Sequence, residues 1–384
     1  MTALLTRSQR LVMACGLVLT VVSGLTQLAG APEVARFGVA GVALAALAAV
    51  VGVAIDQVGG RLGPGATGLV QSALGNLPEL FVGVFALRQG LTAVVQATIV
   101  GSVLSNTLLV LGVAFLTGGL RHGAQRFPPE APRMIATLLV LAVAALVVPT
   151  LAFRLQTPAA AHAGALSNIC AGLLLAVYLA SIPFWLRGGP ARQPVATGAS
   201  RLPASSGAAR LPASTRPAPA DRPASDAGTA RPWPLGLAVV VLAAGSGLAA
   251  VASDWFVAAL EPAIRSLGIS QSFTGLVIVA IAANAAENVV GVRFALKGRP
   301  DYAISTVLNS PLQIALLLTP ILVLVSRVVG PIQLTLVFPP LLVVALALAA
   351  VVVAIIVYDG EYTWLEGVAL IALYGIVAAA FWWG

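Results

Sequence analysis

Charge is what this sequence has least of. Its 384 residues include 21 basic and 13 acidic side chains, 9% of the total, against 59% hydrophobic residues and a mean hydropathy of +1.00. A water-soluble domain gives about a quarter of its residues to charge, so a soluble fold is excluded, and soluble enzymes and nucleic-acid binders with it. Histidine is limited to His122 and His162, and cysteine to Cys15 and Cys170. Both cysteines lie inside apolar runs, where a thiol behaves as a small hydrophobe. A zinc site of the usual His/Cys kind therefore has no ligands to draw on, and any metal chemistry here is oxygen chemistry.

What the sequence has in abundance is long apolar runs. A helix needs about 20 apolar residues to cross the hydrocarbon of a bilayer, and eleven such runs lie between residues 11 and 383. The expectation is an all-α integral membrane protein of about eleven transmembrane helices. It divides into an N-terminal helix (1–34), a five-helix unit (35–186), a linker (187–232) and a second five-helix unit (233–384). The first run follows Arg7 and Arg10 and exceeds the apolar core of a signal peptide, so a retained helix is expected.

The linker is rich in Pro, Ala, Ser, Gly and Arg and repeats RLPAS at 201 and 210, a composition expected to be disordered. Its seven Arg against Asp221 and Asp226 supply +5 of the net charge of +8. The basic balance is thus mostly a property of the tether, not of a nucleic-acid surface. Lys and Arg gather at cytoplasmic helix ends. With the N-terminus and linker inside, the cytoplasmic side collects sixteen basic residues and the opposite side five; without the linker the split is nine to five. The C-terminus then lies outside, and compact loops point to a bacterial inner membrane.

The two units resemble each other. Gly75-Asn76-Leu77-Pro78-Glu79 aligns with Ala283-Asn284-Ala285-Ala286-Glu287 at an offset of 208, which also places Gly83 on Gly291, Ser102 on Ser310 and Ser105 on Gln313. The copies begin in the third and eighth runs. Five crossings separate them, an odd number, so they enter the bilayer from opposite sides as inverted repeats. Transporters built this way bind substrate near the midplane on broken helices. Gly75 and Pro78 are helix breakers in the first copy. In the second, Gly291 and the small residues around Asn284 carry the weaker signal.

Glu79 and Glu287 are the only acidic residues near the middle of an apolar run. An acidic side chain at a helix centre costs about 2.5 to 3.5 kcal/mol, which demands a cavity, a partner or an ion. A protonated Glu bonded to a neighbouring helix satisfies that demand once, but two symmetry-related Glu, each with an Asn three residues earlier, point to a site. Asn76 and Asn284 serve equally as caps of broken helices or as ligands. Ser102, Ser105, Asn106 and Ser310 serve equally as helix glue or as ligands, and Gln313 joins them. The set is all oxygen and suits a hard cation such as Ca²⁺.

These segments resemble the cation/proton exchanger branch of the calcium/cation antiporter superfamily. Residues 75–112 are similar to that family's first repeat motif and residues 283–320 to its second. The likeness extends to Gly118-Gly119-Leu120 and Tyr358-Asp359-Gly360. The resemblance implies export of cytosolic Ca²⁺ in exchange for protons, with Glu79 and Glu287 binding both and the Asn, Ser and Gln positions assisting. It implies no cofactor, Ca²⁺ being the substrate, and no nucleic-acid partner. The chain departs from the family where Asn288 stands in place of His, where Asn309-Ser310-Pro311 stands in place of a Gly-Ser opening, and where a basic linker replaces an acidic helix. A Na⁺ or K⁺/proton exchanger of the same fold and a non-transporting membrane scaffold are the alternatives. A membrane-embedded enzyme has only scattered single acids such as Asp56, Glu130 and Asp359 to work with.

Overall fold

A computed structural model describes residues 5–59, 61, 74–186 and 233–383 of the chain; the 187–232 linker and the start of the third apolar run lie outside them. The described residues are almost entirely helical. In chain order they form α1 (Arg7–Leu28), α2 (Glu33–Gly59), α3 (Leu77–Arg88), α4 (Thr92–His122), α5 (Glu130–Arg154), α6 (Ala163–Leu186), α7 (Leu235–Leu267), α8 (Gln271–Ala283), α9 (Ala285–Leu296), α10 (Pro300–Val329), α11 (Pro340–Ile356) and α12 (Trp364–Ala380). Seven of them are long and apolar enough to cross a membrane. An eighth span results if α8 and α9, bent by 66° at their junction, count as one. The apolar α11 and α12 are shorter. A bilayer provides no backbone hydrogen-bonding partners, which leaves helices as the way to satisfy the peptide groups of such sequences. The protein is an integral membrane protein.

Three helices are locally widened. α4 contains a π-helical stretch at Ser105–Val110 and α10 one at Ile314–Leu318, while α8 has a third at Thr274–Val279. Such stretches are rare and recur at functional sites. Here the first two directly follow the segments that carry Ser102 and Ser310. Between α4 and α8 the backbones nearly touch: a Cβ on Gly101 would overlap the Leu276 backbone, and one on Gly275 would lie 2.6 Å from the Val94 carbonyl. Small residues at a crossing let membrane helices approach this closely. The crossing holds α8 against the part of α4 that bears Ser102.

At one end of α4 a short antiparallel ladder joins β1 (Gln125–Arg126) to β2 (Glu361–Tyr362). It carries an Arg126–Glu361 ion pair of 2.9 Å, and Tyr362 stacks on Phe115 with centroids 4.0 Å apart. Arg133 Nε donates to the Tyr358 carbonyl at 2.7 Å. At the other end of α4, residues 330–339 run without helix, and side chains hold their backbone. Gln96 Nε2 donates to the Thr335 and Val337 carbonyls, and Ser326 and Ser167 accept from Leu334 N and Leu336 N. Thr150 both donates to the Leu336 carbonyl and accepts from Phe338 N, each at 2.9 Å. Buried peptide groups outside regular structure need partners of this kind. Thr150→Val keeps the shape and orphans both groups, so a loss of about 2 kcal/mol is expected, read as a lowered melting temperature in detergent.

Candidate functional site

The site begins at two breaks in the helices. Asn76 (φ −90°, ψ 14°) and Asn284 (φ −93°, ψ 5°) share a non-helical backbone, and each is followed by a short helix with a glutamate in its first turn, Glu79 in α3 and Glu287 in α9. Pro78 accounts for the first break, because proline fits the opening turn of a helix and not its interior. No proline follows Asn284, and the second break is held by what its side chain contacts. A carboxylate in the first turn faces the positive end of the peptide dipoles.

The side chains meet across the two segments. Glu79, 3% exposed, accepts at Oε1 from Ser102 Oγ at 2.8 Å and from Asn284 Nδ2 at 2.5 Å. Asn284 Nδ2 also reaches Ser102 Oγ at 3.0 Å and the Ala280 carbonyl at 2.9 Å. Asn106 Nδ2 lies 3.0 Å from the Ser102 carbonyl and 3.3 Å from both Asn284 Oδ1 and Ser310 Oγ. Asn76 Nδ2 donates to Gln313 Oε1 at 3.1 Å. The Glu287 carboxylate lies within interaction range of Ser310 and of the Glu79 carboxylate.

Gly75 makes room for Glu287, since a Cβ there would stand 3.2 Å from its Oε1. Glu287 Oε2 and Asn76 Oδ1 are buried and receive no hydrogen bond. Oxygens of this kind are the raw material of a hard-cation site, which takes carboxylate, amide and hydroxyl ligands. Among the described residues no three His, Cys, Asp or Glu cluster, so amides and hydroxyls must supplement the two carboxylates. Ser105 stands apart from this network: it is fully buried beside the Tyr374 hydroxyl of α12. The Ala280 carbonyl and Tyr374 escaped the sequence reading, and neither carries a local signal. The Ile314 that replaces Asn106 in the second copy is readable directly from the 208-residue offset.

The pattern of the family described as sodium/calcium exchanger protein matches residues 33–186 and 237–383. The chain belongs to this family. Within it the chain falls in the cation/proton exchanger branch. A Ca(2+)/H(+) antiporter of Synechocystis sp. is 35% identical over 353 residues, 91% of each chain. The Ca(2+)/H(+) antiporter ChaA of Bacillus subtilis is 30% identical over 97% of each. Among solved structures of the exchanger fold, native YfkE superposes with a TM-score of 0.76 at 29% identity, covering 97% of this chain and 99% of its own. The H+/Ca2+ exchanger CAX shares the fold at a TM-score of 0.70 and 13% identity, over 98% of this chain and 92% of its own. These exchanger relatives are transporters.

Proposed function

We propose that the protein is a secondary antiporter that exchanges cytosolic Ca²⁺ for protons at a midplane site built on Glu79 and Glu287. The observation that carries this reading is that two helix breaks each bring a glutamate to one place, with the buried Glu79 of the first bonded to Asn284 of the second and with Glu287 Oε2 buried without a partner, among hydroxyls and amides. The names of the relatives at 30–35% identity supply the ions.

The chemistry follows from burial. A charged carboxylate so far from water is costly unless paired, so without a cation the pair holds protons. A divalent cation favours both charged forms, and the protons leave as it binds. Proton and cation compete for the same oxygens and the pair titrates as one unit. Exchange results when the helices change access only with the site loaded by one or the other. Asn76, Asn284, Ser102, Asn106, Ser310 and Gln313 complete the ligand and support set, and Ser105 works through the α4–α12 contact.

The architecture proposed with this function is an N-terminal helix followed by two inverted five-helix repeats, eleven crossings in all, with the N-terminus and linker in the cytoplasm of a bacterial cell. Contacts between loops support the sidedness. Segments that the basic-residue count assigns to the cytoplasm meet one another: Arg126 with Glu361, Arg133 with Tyr358, His122 Nε2 with the Leu296 carbonyl at 3.1 Å, and Arg61 with the Trp233 carbonyl. The segments assigned to the outside do likewise, through Gln96, Ser167 and residues 334–338.

Reconstitution into proteoliposomes with an imposed pH gradient tests the reading. Ca²⁺ uptake driven by that gradient, and proton release on addition of Ca²⁺, are expected. Flux of Na⁺ or K⁺ without Ca²⁺ would move the assignment to a monovalent exchanger. No flux of any cation would leave a membrane scaffold.

A further inference from the structure

The two halves of the site are not equivalent, and Asn106 contributes to the difference. The amide of Asn106 has a fixed orientation because its Nδ2 faces the Ser102 backbone carbonyl at 3.0 Å, which can only accept. The atom of Asn284 that lies 3.3 Å from the same Nδ2 must then be its acceptor oxygen, Oδ1. Asn284 therefore has to turn its Nδ2 toward Glu79 Oε1. The Ala280 carbonyl, another obligate acceptor at 2.9 Å, enforces the same orientation. In the other half, Ile314 occupies the position that Asn106 has in the first copy; it is fully buried and brings no donor. Asn76 there gives its Nδ2 to Gln313. Its Oδ1 stays buried without a donor, as does Oε2 of Glu287.

We propose that Asn106 is a positioning residue that locks the Asn284 amide onto Glu79, so that a divalent cation is first received by Glu287 and the Asn76 carbonyl oxygen. In the locked orientation an N–H group stands against Glu79 where a cation would have to be, and Asn284 can become an oxygen ligand only by turning over against its bonds to Asn106 and the Ala280 carbonyl. The Glu287 half needs no such turn. Loading is therefore ordered: Glu287 and Asn76 first, then release of the Asn284 amide, then Glu79. This rests on the Ca²⁺/H⁺ reading of the site and adds the order in which its halves are filled.

Two substitutions carry opposite expectations. Asn106→Leu removes one of the two bonds that set the Asn284 orientation, leaving the one to the Ala280 carbonyl, and the apparent KM for Ca²⁺ in proteoliposomes is expected to fall about fivefold, the worth of one hydrogen bond, with a maximal rate no higher than that of the native chain. Ile314→Asn places a donor beside Asn76 and is expected to raise KM by about the same factor. Loss of fold or general loosening lowers the maximal rate and has no reason to move KM in opposite directions. Should only one variant fold, its own KM decides. A KM that is unchanged or raised in Asn106→Leu, or unchanged or lowered in Ile314→Asn, overturns the lock. If the native chain moves Na⁺ or K⁺ but not Ca²⁺, the Ca²⁺ reading fails while the lock is read from the KM of the ion that is carried. If it moves no cation, both fail.

Discussion

Replacing either Glu79 or Glu287 by glutamine is expected to cut Ca²⁺-driven proton release from everted vesicles by at least about 150-fold. Breaking the contact between a buried carboxylate and the cation it holds costs about 3 to 5 kcal/mol, and 3 kcal/mol is a factor of about 150 in binding. The loss is electrostatic, because glutamine preserves volume and geometry. The two variants should nonetheless differ in stability. Glu79 Oε1 receives its bonds from Ser102 and Asn284, and a glutamine Oε1 can receive them as well, so Glu79→Gln should melt close to the native temperature. At Glu287 the unpartnered Oε2 becomes either an amide N–H₂ without an acceptor or, after a flip, an amide competing for Ser310. A depressed melting temperature is the expected companion of lost activity there. Transport retained in both variants would remove the carboxylate pair from the mechanism.

Gly101→Leu is expected to abolish folding. The α4–α8 crossing leaves no space for even a Cβ against the Leu276 backbone, and a rigid backbone cannot give way as a side-chain tip does. Overpacking in a core costs about 1 to 3 kcal/mol in ordinary cases; with a whole leucine facing backbone the loss should exceed about 4 kcal/mol. Expression followed by size-exclusion chromatography in detergent should give no monodisperse peak. Gly172→Leu on α6 is the control, since a Cβ there meets nothing within 4 Å, and its profile should match the native one. A well-behaved Gly101→Leu protein would mean that the crossing can open, and with it the geometry that brings Asn284 to Ser102.

Much of this site is legible in the sequence. Glu79 and Glu287 stood out because an acidic residue in an apolar run is costly, and the breaks at Asn76 and Asn284 followed from Gly75, Pro78 and the 208-residue offset. The partner choice was not legible. Nothing in the sequence states that Asn284 bonds the glutamate of the other copy while Asn76 bonds Gln313, because that depends on how the copies face each other. Ser105 shared the ligand-like spacing of Asn106, yet one residue along a helix turns the side chain by roughly 100°, and Ser105 meets Tyr374 instead. The π-helical stretches left no mark in composition. The non-helical segments after α4 and α10 did leave one, for Phe-Pro-Pro stands at both 127–129 and 338–340, but its meaning emerges only when Phe127 N is seen bonded to the Gly360 carbonyl and Phe338 N to Thr150.

The ends of α4 are fastened by different chemistry, and that difference makes ionic strength a variable of the fold. Arg126 is 86% exposed in its pair with Glu361, and exposed pairs of this kind are worth at most about 1 kcal/mol and weaken as salt rises. The hydroxyl and amide ties of Thr150, Ser167, Gln96 and Ser326 carry no net charge and are indifferent to salt. Raising the electrolyte concentration therefore loosens one end of the molecule and leaves the other as it was. The β1–β2 ladder is thus the salt-sensitive end of α4, and residues 330–339 the end that salt leaves alone.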